Sequence, residues 1–100
     1  MICGNFVPTD RGYIGEIRFF GFREKVELHQ VEGKDNEKAP DFRIHPADDE
    51  RIEYGAAWRK TSKEGRNYVS LKLNPVVAQP VYLRLFESET VAGEYELLAS

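Results

Sequence analysis

The chain has 100 residues, 14 of them basic and 17 acidic, for a formal net charge of −3. That length makes one domain with one modest core. The charge balance argues against a dedicated duplex-DNA binder, whose affinity comes from basic residues releasing phosphate counterions. A single cysteine, Cys3, excludes an intramolecular disulfide and a cysteine-built zinc site, and it fits a reducing compartment. With 41% hydrophobic residues, the chain has enough apolar surface to offset the entropy of ordering, so a single folded domain is expected over 1–100. Residues 1–10 hold no basic stretch leading into an apolar run, and no segment reaches the roughly 20 apolar residues of a membrane span. A cytoplasmic protein without a membrane partner is the expectation.

The hydrophobic period along the chain is two, which reads as strands with one buried face. Ile2–Val7 is the first strand, and Thr9-Asp10-Arg11-Gly12 turns it back into Tyr13–Phe22. There Tyr13, Gly15, Ile17 and Phe19 share one face, opposed by Ile14, Glu16, Arg18 and Phe20. Gly15 and Gly21 mark bulges or bends, and the phenylalanine cluster at 19–22 suggests a strand buried on both sides. In Arg23–Val31, Val26 and Leu28 alternate with Glu27 and His29. Glu32–Pro40 is the longest loop. Phe42 and Ile44 then alternate with Arg43 and His45, and acidic Ala47–Arg51 forms a loop or a single helical turn.

The next run places Ile52, Tyr54, Ala56 and Trp58 against Glu53, Gly55, Ala57 and Arg59. Ser62-Lys63-Glu64-Gly65 is a hairpin turn. A four-residue loop there sets Thr61 opposite Arg66, Trp58 opposite Val69, Ala56 opposite Leu71, Arg59 opposite Tyr68 and Ala57 opposite Ser70. Val69, Leu71 and Leu73 form the inner row of the returning strand. Two prolines in Asn74–Pro80 forbid a central strand there. Val81, Leu83 and Leu85 follow, then a loop over Glu87–Glu94 and a last strand at Tyr95–Ala99. About eight short strands without a helical pattern predict an all-β, single antiparallel domain, barrel-like or sandwich.

Catalytic chemistry has few carriers. A nucleophile needs a base in reach and a group to orient that base, and only His29 and His45 are available. His45 is expected to be a solvated strand histidine, and Cys3 an inert structural thiol. The run Asp48-Asp49-Glu50 lacks the spacing of a calcium loop, and the glycines form no phosphate cradle. Carboxylates are plentiful but unpaired. No catalytic, cofactor or metal residue is assigned, and the protein is expected not to be an enzyme.

A surface is the better candidate. Arginines alternate with aromatics: Arg18 with Phe20, Arg43 with His45, Arg59 with Tyr68, Arg84 with Tyr82 and Phe86. The hairpin over 57–72 adds Lys60, Lys63, Arg66 and Lys72. Cations interleaved with aromatics suit base stacking and phosphate contact along a single strand, and equally a protein interface. The partner-binding set is therefore Arg43, Arg59, Lys60, Lys63, Arg66, Tyr68 and Lys72. The 14 basic residues argue against a pure DNA mimic.

The stretch from Ala39-Pro40-Asp41-Phe42-Arg43 and the tryptophan hairpin from Gly55 to Leu73 resemble a bacterial family of about 100-residue proteins, domain of unknown function 736. The opening fits as well, with Gly4, Phe6, Asp10, Gly12-Tyr13, Gly15 and Ile17. Departures lie in Phe19–Phe22 and in the long loop. The resemblance implies a small protein of plasmids and integrative elements, encoded near transfer and anti-defence genes, and it transfers no catalytic residue. On that context the leading expectation is a non-enzymatic inhibitor of host defence, anti-CRISPR or anti-restriction in type, that occludes a protein or nucleoprotein complex. The alternative is a single-stranded DNA-binding accessory protein using the hairpin at 57–72. A third is self-association through an exposed edge strand.

Overall fold

In the computed structural model, which describes residues 3–19, 21–33, 36–74 and 80–99, bulky rings on the inner rows face glycine or alanine across the sheet. Phe6 lies opposite Gly15, and Phe42 opposite Ala57. The rows belong to eight antiparallel strands: β1 Cys3–Thr9, β2 Gly12–Phe19, β3 Phe22–Gln30, β4 Phe42–Pro46, β5 Gly55–Thr61, β6 Asn67–Leu73, β7 Val81–Glu87 and β8 Tyr95–Ala99. Each pairs with its sequence neighbour, and β8 returns to β1 through Gly4↔Leu97 and Phe6↔Tyr95, closing a barrel. Of the two all-β arrangements expected, the barrel is therefore the one formed. Closure also removes the exposed edge on which self-association was expected to rest. No helix among the described residues is long and apolar enough to cross a membrane.

An eight-stranded barrel is just wide enough for its own side chains to fill it. Here Phe6, Val26, Leu28, Phe42, Ile44, Leu71, Leu83, Leu85 and Leu97 do so, all fully buried. Gly15 sits in an unbroken ladder between Phe6 and Val26, so it marks no bulge. Its role is space: a Cβ at Gly15 would lie 2.6 Å from Cγ of Phe6 and 2.2 Å from the Asn5 carbonyl oxygen. Gly21 occupies the β2–β3 turn with φ 80°, between the paired Phe19 and Phe22. The run Tyr13–Phe22 is thus split by a turn rather than continuous. Phe22 is 68% exposed, not buried on both sides. The side chains of Cys3, Phe19 and Phe20 lie outside the described residues, as do Ile2 and most of the proline-flanked segment, 75–79.

The β5–β6 register differs by one residue from the sequence expectation. Lys60 faces Tyr68, Arg59 faces Val69, Trp58 faces Ser70 and Ala57 faces Leu71. The turn is the cause. Ser62 N donates to Arg66 O at 2.8 Å, which leaves Lys63-Glu64-Gly65 as a three-residue loop with Gly65 at φ 81°. A glycine in the left-handed region closes that loop type. Ala57 rather than Trp58 therefore points into the barrel, fully buried opposite Phe42. Trp58 stands outside, and its indole N–H donates to the Lys38 carbonyl at 3.0 Å, holding down the long β3–β4 loop.

His45 also departs from expectation. It projects outward from β4 yet is only 4% exposed. Residues 47–53 form successive turns, not a helical turn, and fold back across β3 and β4. Ala47 N donates to Lys25 O at 3.0 Å and Tyr54 N to Ile44 O at 2.7 Å.

Gly15→Ala is expected to destabilise the fold by about 1–3 kcal/mol, the usual range for overpacking a filled core, as read from urea unfolding midpoints at unchanged m-value.

Candidate nucleic-acid interface

Because β6 turns Val69 and Leu71 inward, the register fixes which residues share its outer side. Across β5, β6 and β7 the outward rows are Ala56–Lys72–Tyr82, Trp58–Ser70–Arg84 and Lys60–Tyr68–Phe86. Lysine, arginine and four aromatics occupy these rows, and no carboxylate does. Among the described residues no carboxylate pairs with Lys60, Lys72 or Arg84. In a chain of net charge −3, this concentrates free positive charge on one wall.

The face is shaped as well as charged. A hollow of about 330 Å³ is lined by Lys38, Trp58, Lys60, Ser70, Lys72 and Tyr82. Trp58 stands on β5 beside Ser70, and Tyr82 stands on β7 one outward row away, beside Lys72. Both rings border the hollow from strands two spacings, roughly 10 Å, apart. Tyr68 and Phe86 are stacked on each other with centroids 5.0 Å apart. The Arg66 guanidinium lies 4.6 Å from the Phe86 centroid and donates to the Glu87 carbonyl at 2.8 Å. These three form a rigid corner beside the hollow.

The expected binding residues divide accordingly. Lys60, Tyr68 and Lys72 lie on this face, Arg66 at its corner, and Lys63 at the exposed tip of the β5–β6 turn. Arg59 does not pair with Tyr68. It points to the barrel mouth, 4.6 Å over the Phe42 ring and 3.8 Å from Asp41. Arg43 shares an outer row with Ala56 and Lys72, but its guanidinium is bonded to Glu53. Sequence reasoning left Lys38, Trp58 and Tyr82 out of the binding set. The signal for the last two was the inner row of β6, which dictates the outward neighbours once the turn length is known.

At the mouth, Arg59 joins Tyr13 and Tyr95, whose rings meet edge-on at 5.0 Å. An open cavity of about 700 Å³ reaches from there to Lys60, Arg66 and Tyr68. Burial, together with the neighbouring Tyr95, raises the Tyr13 pKa above its usual value.

The model of the family described as "Protein of unknown function (DUF736)" matches residues 2–100. The chain belongs to this family. The match spans both the tryptophan hairpin and the opening β1–β2 hairpin, so the barrel and its cationic face lie wholly within the DUF736 unit. No curated protein and no solved structure matches the chain.

Arg59 and Lys60 are neighbours with opposite duties. Arg59→Ala is expected to lower stability by about 0.5–1 kcal/mol through loss of the ring contact. Lys60→Ala is expected to change it by less than about 0.5 kcal/mol. Thermal unfolding of both variants checks this.

Proposed function

We propose that the protein is a non-enzymatic binding module for single-stranded nucleic acid, docked on the outer face of β5, β6 and β7. One observation carries this: the outward rows combine cations and aromatics with no acid, on an otherwise acidic protein. Trp58 and Tyr82 offer ring faces for a base, and such stacking contributes about 1–3 kcal/mol per base whatever its identity. Lys38, Lys60 and Lys72 surround the same hollow and neutralise phosphates. The acidic remainder repels the backbone elsewhere, which confines the strand to one track. A cytoplasmic setting on a mobile element is part of the proposal, drawn from the single cysteine and the family resemblance. Occlusion of a host CRISPR or restriction complex ranks second, because it draws on that resemblance, whereas strand binding draws on placed side chains.

Trp58 is the only tryptophan, so its fluorescence reports directly on the hollow. Titration with an unlabelled thymidine oligonucleotide is expected to quench it, with affinity falling as salt rises. Each lysine removed, Lys60→Ala or Lys72→Ala, is expected to reduce the log–log salt slope by about 0.7. Tyr82→Ala is expected to weaken binding roughly 5- to 150-fold, the equivalent of one lost stack. Absence of binding at low salt, or binding unchanged in the Lys60→Ala/Lys72→Ala double variant, would overturn the proposal.

A further inference from the structure

On the wall that adjoins β5, β3 and β4 turn Glu27, His29 and His45 outward, and the 47–53 turn brings Glu50 over them. One ligand-type atom from each of the four residues lies within 4.8 Å of all the others. Glu27 and His45 are buried, His29 is half-buried and Glu50 is exposed. The cluster borders a cleft of about 430 Å³, lined in part by His29, His45 and Glu50, so solvent can reach it.

His45 carries the argument. Its Nδ1 lies 2.7 Å from the Pro46 carbonyl oxygen. A carbonyl only accepts, so Nδ1 holds a proton and Nε2 is the ring nitrogen left for another partner. That Nε2 is buried without a hydrogen-bond partner among the described residues. It lies 3.3 Å from Oε1 of Glu27, but out of line for a hydrogen bond. An unpartnered ring nitrogen held against a carboxylate in a buried site calls for a positive charge between them. The backbone bond to Nδ1 is also the device that orients a histidine for a metal at its other nitrogen.

We infer that Glu27, His29, His45 and Glu50 form a binding site for a divalent first-row transition-metal ion of the zinc type. Two imidazole nitrogens and two carboxylates suit such an ion better than calcium or magnesium, which take oxygen ligands. Tetrahedral zinc bonds of about 2.0–2.1 Å set neighbouring donors roughly 3.3 Å apart. Glu27 and His45 already meet that spacing. Oε1 of Glu50 lies 3.9 Å from Nδ1 of His29, and all four ligand atoms lie within 4.8 Å of one another, so a bound ion would draw the set together. Arg11 occupies the counter-charge position: its guanidinium lies 3.0 Å from Glu50 and 3.4 Å from Glu27. Arg11 therefore competes with the metal for both carboxylates.

The test uses the untagged, chelator-stripped full chain, titrated with Co²⁺ and then with Zn²⁺. One equivalent of Co²⁺ is expected to give the intense visible bands of a four-coordinate ion, and one equivalent of Zn²⁺ to abolish them. The variants chosen leave buried His45 in place, and circular dichroism confirms that they fold. His29→Ala and Glu50→Gln are each expected to weaken Zn²⁺ binding at least 10-fold, no less than loss of an outer-shell partner does. Arg11→Gln is expected to tighten it, an outcome that a purely structural ion-pair cluster does not produce. Failure to take up one equivalent, or uptake unaffected by His29→Ala and Glu50→Gln, would overturn the inference.

Discussion

The rest of the structure depends on the narrowness of the barrel. Eight strands enclose a space that a few side chains fill, so the two fully buried rings each have a small residue on one neighbouring strand. Phe6 takes that space from Gly15 and Phe42 takes it from Ala57. Once Ala57 is inside, alternation puts Trp58 and Lys60 outside, and the pairing with β6 and β7 aligns them with Ser70, Tyr68, Lys72, Tyr82 and Phe86. The surface of the protein is thus a consequence of how its core is packed.

The same alternation segregates charge. Acidic and imidazole side chains gather on the outer side of β3 and β4, where the 47–53 turn covers them and Arg11 neutralises them in part. Cations gather on β5, β6 and β7, away from those acids. The net charge of −3 therefore conceals two walls of different character. The cationic wall offers stacking rings and free ammonium groups to an extended polyanion. The acid–histidine wall offers a small, partly dry set of metal-ligand atoms.

Closure of the sheet gives both walls rigidity. With β8 paired to β1, each strand is held on both sides, and side chains on the outer rows keep fixed neighbours. The loops add local clamps: Trp58 to Lys38 over the long loop, Ser88 Oγ accepting from Thr90 N and Val91 N before β8. Binding on such a scaffold costs little reordering of the backbone.

The sequence by itself determined the strand content, the position of most turns and most of the inner rows, because period-two patterning and turn residues are local signals. Val26, Leu28, Phe42, Ile44, Val69, Leu71, Leu83 and Leu85 all lie where alternation places them. Of the seven binding residues it named, Lys60, Tyr68 and Lys72 share one face, although it paired Arg59 rather than Lys60 with Tyr68. What it did not determine was the face of β5. Ala56 with Trp58 and Gly55 with Ala57 are both apolar rows, and the choice turns on one residue of loop length and on the volume of Phe42, a neighbour from another strand. Nor did it show that His45 is buried, since the cover comes from a turn whose acidic composition reads as solvated. Glu27, His29, His45 and Glu50 are spread over β3, β4 and the turn after it, and only the folded sheet brings their ligand atoms together. Local pattern decides which way a strand alternates; contact between distant segments decides which side meets the core, and which groups meet each other.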